Sequence, residues 1–141
     1  SNSLGRLLVD DITLKYTAED INVDDDVISI TVNQLYHSKI SSEELYESTR
    51  GVWTVGERRE KAKYAFAVFQ GVVREVYNIH TWHKAGTQIY KFREISSDDY
   101  PNRWEFQGEI AESKIREKYL RKSIRNYLSR GSQNPIKYIN C

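Results

Sequence analysis

Two strand-like runs joined by a two-residue turn constrain the fold of this chain more than any other feature. Residues 64–69 alternate large and small side chains, and residues 72–79 follow directly after Gln70-Gly71. Glycine readily adopts the positive φ angles of tight turns, so the pattern predicts an antiparallel hairpin. The two alanines of the first run would permit close packing on one of its faces.

Four more segments have strand character. Residues 27–33 alternate apolar and polar side chains, which is typical of a strand with one buried face. Residues 103–107 alternate as well, and their two aromatic side chains are expected to point inward. Residues 89–92 and residues 136–139 are shorter runs that also predict strands.

Helices are predicted between and after these strands. Ser41, with Glu44 three residues later, forms a capping-box pattern that opens a helix. This helix should end at Gly51, where glycine can adopt a left-handed conformation. Residues 112–130 predict two short helices with a bend between them, because the apolar stripe changes face just before Ser123, a competent N-cap.

The order of these elements indicates the fold class. The strands occur as hairpins and isolated runs, not as alternating strand-helix units, which predicts an α+β domain. We expect a mostly antiparallel sheet that is curved or closed into a small barrel, with inserted and C-terminal helices. The 141 residues suffice for one domain. We place it at residues 27–141, after an acidic, partly ordered segment at residues 1–26.

Composition excludes several classes of protein. The chain has one cysteine, Cys141, and so cannot form an internal disulfide, which favours a reducing, cytoplasmic location. Its apolar runs are too short for a membrane helix, and it shows no basic-then-apolar leader. Glycine-rich phosphate loops, dinucleotide fingerprints and nucleophile elbows are missing from the sequence, so we expect no cofactor.

The near-neutral net charge of +1 conceals an uneven distribution of charge. Residues 1–49 hold three Lys/Arg against ten Asp/Glu, whereas residues 50–141 hold eighteen Lys/Arg against ten Asp/Glu. Such asymmetry suggests an anionic partner for the basic part. It equally suits an acidic strip that folds back onto a basic body, and the sequence leaves both interpretations open.

Five basic and two aromatic side chains are interleaved within residues 50–64. Guanidinium groups bind phosphates, and aromatic rings provide faces on which bases stack. This pattern predicts a nucleic-acid cleft, although Trp53 could instead plug one end of the barrel. The residues expected to line the cleft or its rim are Asn33, Arg50, Trp53, Arg58, Arg59 and Tyr64, with Trp82 as a second stacking face.

The C-terminal helices carry a second basic surface. Lysines and arginines there could contact phosphates without reading sequence. The simpler interpretation is a solvated charged face. The candidate phosphate contacts are Lys114, Lys118, Arg121, Lys122 and Arg125.

Two other groups of residues have the types needed for metal or nuclease chemistry. His80 and His83 follow a predicted strand, where residues three apart point to opposite sides, so no metal site is expected there. Glu75 and Glu105 lie on neighbouring predicted strands and could converge on a cation as a divergent nuclease site. Nothing in their spacing selects them.

Several segments together resemble a known bacterial domain. They are Leu45–Trp53 (LYESTRGVW), Arg58–Val68 (RREKAKYAFAV), Gly71–Tyr77 (GVVREVY), Arg103–Phe106 (RWEF) and Gln133–Tyr138 (QNPIKY). The chain is similar here to the C-terminal part of LEM-3-like GIY-YIG nuclease proteins. Its arrangement also looks, more weakly, like PUA-like barrels of the EVE and ASCH kind.

The resemblance implies an accessory domain without its catalytic neighbour. The chain has neither the Gly-Ile-Tyr nor the Tyr-Ile-Gly signature of the nuclease module. No catalytic residue can therefore be carried over, and a nuclease is a candidate partner. We expect a non-catalytic module that binds DNA or RNA and reads a single-stranded, flipped or modified base. The alternatives are a divergent metal-dependent nuclease and a protein-interaction or regulatory domain that uses its acidic N-terminal strip.

Overall fold

Six strands form one mixed sheet in the computed structural model, which describes residues 13–32, 36–37, 39–131 and 133–141. The strands are β1 (Val27–Thr31), β2 (Gly51–Trp53), β3 (Tyr64–Phe69), β4 (Val72–Lys84), β5 (Trp104–Ile110) and β6 (Ile136–Ile139). The helices are α1 (Ser42–Arg50), α2 (Ser113–Tyr119) and two 3-10 turns, Glu57–Lys61 and Arg125–Tyr127. Residues 13–17 are also helical.

The sheet curls into a half-barrel. Its strand order is β2-β5-β4-β3-β1-β6, and every neighbouring pair is antiparallel except β1 with β3. This confirms the predicted α+β class with a curved, mostly antiparallel sheet. Because the curl stops short of closure, β2 and β6 remain as the two edge strands.

The predicted hairpin is confirmed as β3 and β4. Gln70 and Gly71 turn the chain with φ angles of 54° and 75°. β4 continues past the predicted end at residue 79 and pairs with β5 as far as Lys84 opposite Trp104. The strand therefore includes the histidines at 80 and 83.

The sheet has a hydrophobic core on each of its faces. On the α1 face, Leu45 packs with Ile28, Ile30 and Phe106, whereas on the α2 face Tyr119 packs with a separate set of side chains. The second set includes Val23, Val27, Phe66, Val68 and Val76. β1 is therefore buried on both sides, and the prediction of one solvated face was wrong.

The predicted bounds of α1 were correct, but the left-handed conformation predicted for Gly51 at its end was wrong. Ser41 Oγ accepts a hydrogen bond from the Glu44 N–H at 3.1 Å, as the capping pattern predicted. Gly51 has φ −169° and is extended, not left-handed, because it begins β2 directly. Residues 89–92 were expected to form a strand and do not; they belong to the loop between β4 and β5.

The C-terminal region forms two short helical segments with a bend, as predicted. Arg121 has φ 65° between α2 and the second 3-10 turn. Ser123 Oγ accepts from the Arg125 N–H at 3.3 Å. No helix within the described ranges is long and apolar enough to cross a membrane.

The described part of the acidic N-terminal segment packs against the rest of the chain. The Ile21 N–H donates to the Ser123 carbonyl at 3.1 Å, and the Ser123 N–H donates to the Glu19 carbonyl at 2.7 Å. Val23 is 5% exposed and belongs to the α2-face core. From residue 19 onward, this segment therefore contributes to the folded domain.

Candidate nucleic-acid interface

A groove separates the two edge strands, β2 and β6. It consists of two adjoining cavities of about 730 and 270 Å³ that share Asn134, Ile136 and Lys137. We call it the edge groove, and it is lined by residues 31, 32, 52–56, 58, 70, 71, 93, 128, 129 and 133–138. Because the half-barrel does not close, its open side provides this concave surface.

All the charged residues among the described lining of the edge groove are positive. Three of its lining residues, Arg58, Arg93 and Lys137, carry positive charge, and none of the described lining residues is Asp or Glu. A cleft lined by one sign of charge focuses its field and concentrates counter-ions. The groove is therefore suited to an anionic ligand.

Arg58 is held against an aromatic ring in the smaller cavity. Its guanidinium carbon lies 4.5 Å from the centroid of the Tyr138 ring. Its Nε donates to the Cys141 carbonyl at 3.1 Å. Burial raises the pKa of the Tyr138 hydroxyl, so this ring stays neutral at physiological pH. The pair presents a fixed cation beside an aromatic face.

Arg93 reaches the larger cavity from the loop between β4 and β5. Its Nη2 donates to the carbonyls of Gly51 at 2.7 Å and Glu47 at 3.0 Å. Burial lowers the pKa of its guanidinium, but arginine remains protonated in proteins. Arg93 is thus a positioned positive charge beside β2.

Trp53 lines the larger cavity and is partly buried. Its Nε1 donates to the Thr49 carbonyl at 2.7 Å, which fixes the orientation of the indole. Across the sheet it pairs with Trp104, and the Arg59 guanidinium carbon lies 3.5 Å from a Trp104 ring centroid. Lys84 also approaches this ring, at 5.0 Å. Arg59 therefore sits beside the edge groove on Trp104 and is not among its lining residues.

Two other side chains that were predicted to line the cleft, Tyr64 and Trp82, are buried elsewhere. Tyr64 is 3% exposed on the α2 face, where its hydroxyl donates to Glu112 Oε1 at 3.3 Å. Trp82 is 8% exposed in the α1-face core, 5.3 Å from the ring of Phe106. Asn33 lies outside the described residues.

Arg50 is also buried and does not line the edge groove. It is 5% exposed, and its Nη2 donates to the Ile89 carbonyl at 2.7 Å. Its guanidinium carbon stacks 4.1 Å from the centroid of the Tyr90 ring. The structure thus brings Trp53 and Arg58 to one groove and uses Arg50 to support a neighbouring loop.

The N-terminal segment covers part of the second basic surface. Lys118 Nζ donates to Asp24 Oδ1 at 2.5 Å and to Asp25 Oδ2 at 2.9 Å. Lys122 Nζ lies 3.7 Å from Glu19 Oε2. Hydrogen bonds from Lys118 and then Tyr119 hold the pKa of Asp24 below its usual value.

The remaining three candidate phosphate contacts differ in their surroundings. Arg125 donates from Nη2 to the carbonyls of Lys15 and Gln70. Lys114 and Arg121 are exposed. Contacts with the described part of the acidic strip therefore engage Lys118, Lys122 and Arg125, as the interpretation of a folded-back strip expects.

The two carboxylates considered for a nuclease lie far apart. Glu75 receives two hydrogen bonds from Arg116, and Glu105 pairs in register with His83, eight residues further along β4. At about 3.3 Å per residue, Glu75 and His83 lie up to about 26 Å apart along β4. They do not share a site. Within the described ranges, no three His, Cys, Asp or Glu side chains are grouped to hold a metal ion.

Glu105 anchors the loop between β4 and β5. Its side chain is fully buried, and its carboxylate accepts hydrogen bonds from the loop backbone. The N–H groups of Gly86 and Gln88 donate to it at 2.6 and 2.8 Å. The Tyr90 hydroxyl donates at 3.1 Å, and burial, followed by the charge of Glu105, raises the pKa of that hydroxyl.

A second buried carboxylate, that of Glu47, holds the backbone of the loop at residues 91 and 92. Glu47 on α1 is 4% exposed and accepts from the N–H groups of Lys91 at 2.6 Å and Phe92 at 2.9 Å. We call residues 86–93 the anchored loop. Its backbone amides bind carboxylates where a strand would bind a neighbouring strand, so the predicted strand at 89–92 does not form.

Three charged or aromatic residues of the edge groove were not predicted from the sequence. Lys137 and Tyr138 place a basic and an aromatic residue side by side in the last strand, and Arg93 ends a run that alternates aromatic and basic residues. The same pattern that selected residues 50–64 could have found them. Glu47 and Glu105 gave no such signal, because acidic residues within amphipathic runs usually face solvent.

Comparisons with known proteins identify no relative of this chain. No model of a known protein family matches the chain, and neither the curated proteins nor the solved structures contain a significant match. The similarity to a nuclease-associated domain therefore stays a prediction from the quoted residues.

Proposed function

We propose that this protein is a non-catalytic module that binds DNA or RNA in the edge groove. The observation that supports the proposal is the composition of the groove. Arg58, Arg93 and Lys137 meet the rings of Trp53 and Tyr138 there, with no carboxylate among the described lining residues. Cationic side chains bind phosphates, and nucleobases stack on aromatic rings.

Each kind of side chain has a separate role in the proposed complex. The cations contact phosphates and supply affinity that depends on salt but not on sequence. The aromatic rings stack on bases. Gln70 and Gln133 line the same groove, and their amides can donate and accept at base edges.

The groove favours unpaired bases over a regular duplex. A cavity of about 730 Å³ has the size of a small-molecule site. Bases inside a duplex keep their faces stacked on their neighbours, so they can reach Trp53 only after leaving the stack. A single strand, or a flipped or modified base, is therefore the proposed ligand.

The wider setting of the proposal follows from the sequence. The resemblance to a nuclease-associated domain suggests that catalysis is supplied by a partner nuclease. A PUA-like relationship is compatible with the curled sheet. We place the protein in the cytoplasm, where a chain with a single cysteine needs no disulfide.

Fluorescence anisotropy with labelled single-stranded and duplex DNA and RNA tests the proposal. We expect Lys137→Ala and Arg58→Ala each to weaken single-strand binding about three- to tenfold. Each should also lower the slope of log K against log salt by about 0.7, which corresponds to one phosphate contact on a single strand. The wild type should bind single strands more tightly than duplexes.

The matched control is Lys114→Ala, which removes one exposed cation from α2 on the other face of the sheet. It should change affinity less than twofold. A larger loss in Lys114→Ala than in the groove variants would assign binding to the C-terminal helices and contradict the groove. Cleavage of any of these nucleic acids with added Mg²⁺ would contradict the non-catalytic part.

A further inference from the structure

The anchored loop displays two apolar side chains to solvent. Ile89 is 86% exposed and Phe92 is 46% exposed. Single exposed apolar residues are common and need no explanation by themselves. Ile89 and Phe92 differ from such single exposed residues because buried charged side chains hold the backbone of their loop in place.

The anchoring is costly. Glu47 and Glu105 are almost completely removed from water, and burying a carboxylate is unfavourable unless its oxygens are hydrogen-bonded. Most of their hydrogen bonds come from backbone N–H groups of the anchored loop, and Arg50 donates to the carbonyl of Ile89. The result is a surface loop whose conformation is set before any ligand arrives. Such pre-ordering removes part of the entropy cost of binding.

The anchored loop is continuous with the edge groove. Arg93 follows Phe92 directly and lines the larger cavity. Ile89 lies four positions before Arg93 in the chain, so chain reach keeps their Cα atoms within about 14 Å. A strand whose phosphate contacts Arg93 would therefore have its neighbouring bases close to Ile89 and Phe92.

The charge near the two side chains favours a nucleic acid as the occupant. Lys91 lies between them in sequence, and its Nζ forms a surface ion pair with Glu43 at 2.6 Å. Exposed pairs of this kind contribute little, so a phosphate can replace the carboxylate at small cost. The loop therefore places apolar side chains, which can wedge between stacked bases, beside Lys91 and Arg93, which can bind the phosphates of the nucleic-acid backbone.

We infer that the anchored loop contacts the bases of the bound strand, with Ile89 inserted between neighbouring bases and Phe92 packed on a base face. This inference rests on the proposed function. It adds a base-contacting element outside the edge groove and assigns it a ligand: a single strand of DNA or RNA that can be unstacked at one step.

The test uses Ile89→Ala and Phe92→Ala, with Ile110→Ala as the matched control, because Ile110 is also an exposed isoleucine, at 42%. Because all three side chains are exposed, the substitutions should leave the stability of the protein nearly unchanged. Circular dichroism checks that each variant is folded. Each loop variant should weaken binding of a labelled 12-nucleotide DNA or RNA strand about tenfold. Ile110→Ala should change it less than twofold.

A second readout reports insertion directly. A strand that carries 2-aminopurine becomes more fluorescent when that base is unstacked. We expect the fluorescence to rise when the wild type saturates the strand, and the rise to be largely lost in saturated Ile89→Ala. A merely structural role of Ile89 would not remove it.

The outcomes separate the inference from the proposed function. If the loop variants bind and unstack like the wild type while Lys137→Ala binds weakly, the inference is overturned and the groove stands. If the loop variants bind weakly and the groove variants do not, the loop contact is supported and the groove is overturned. If the wild type binds no strand, both fail.

Discussion

Arg116 holds Glu75 with two parallel hydrogen bonds, from Nε to Oε1 at 2.8 Å and from Nη2 to Oε2 at 3.1 Å. The same Oε1 accepts from the Val76 N–H at 3.0 Å. The Glu75 side chain is 11% exposed and that of Arg116 is 35% exposed. The pair fastens α2 to β4 and occupies both oxygens of Glu75.

Arg116→Ala should lower the free energy of unfolding by about 2 kcal/mol, because it leaves a mostly buried carboxylate without its charged donor. Partial exposure of Arg116 keeps the cost below that of a fully buried pair. Urea denaturation measures it. Lys114→Ala on the same helix is the control and should cost less than 0.5 kcal/mol. Equal stability of the two variants would show that the pair contributes nothing.

Glu105→Gln should lower the free energy of unfolding by about 3 kcal/mol. The amide cannot accept all the hydrogen bonds that Gly86, Gln88 and Tyr90 donate, and its NH₂ group faces donors. Hydrogen exchange at the amides of Gly86 and Gln88 should accelerate. Glu109→Gln, an exposed change on the same strand, is the comparison. Unchanged exchange in Glu105→Gln would contradict the anchoring role.

The acid stability of the protein should depend on Asp24 and Asp25. Hydrogen bonds from Tyr119 and Lys118 hold the pKa of Asp25 below the usual 3.8, and the pKa of Asp24 is lowered by the same two groups. A lowered folded-state pKa stabilises the protein above the unfolded pKa, and the contribution disappears as pH falls through the folded pKa. The same hydrogen bonds raise the pKa of Lys118, so its contribution is lost only at strongly alkaline pH.

Asp24→Asn/Asp25→Asn should therefore show a shallower loss of stability between pH 5 and pH 2 than the wild type. Urea midpoints at pH 7, 5, 3 and 2 measure this. The acid sensitivity should not vanish, because the hydrogen bond with His80 also lowers the pKa of Glu109. The exposed pair in Asp98→Asn/Asp99→Asn is the control. A double variant as acid-sensitive as the wild type would refute the assignment.

Tryptophan fluorescence should report binding through Trp53. Three tryptophans emit, but Trp82 is buried in the α1-face core, and Arg59 packs over Trp104. A base stacked on Trp53 should quench its emission. We expect a saturating oligonucleotide to quench the wild type and Trp82→Phe similarly and to quench Trp53→Phe far less. Equal quenching in all three would remove Trp53 from the interface.

Local patterns predicted the elements of this fold well. The turn at Gln70-Gly71 and the cap at Ser41 each depend on a few adjacent residues, so the sequence contains all that decides them. Burial depends on partners distant in the chain. The alternation in β1 could not show that α2 covers its second face, and nothing near Glu105 announces the amides that bury it.

The candidate site was predicted in part for the same reason. Trp53 and Arg58 were selected by a local mixture of basic and aromatic residues, and both line the edge groove. Tyr64 belongs to the same mixture but points to the opposite face of the sheet. Lys137 comes from a strand some eighty residues away, and only the curl of the sheet brings it opposite β2.

The open edges of the half-barrel have a consequence for solubility. Exposed strand edges invite pairing between molecules, and proteins commonly guard them with lysine or proline. β6 has both, with Pro135 just before it and Lys137 within it. Lys137 thus combines a position that protects the β6 edge with the proposed phosphate contact, and its replacement by alanine removes both. Light scattering should accompany every affinity measured on that variant, since self-association would otherwise be mistaken for weakened binding.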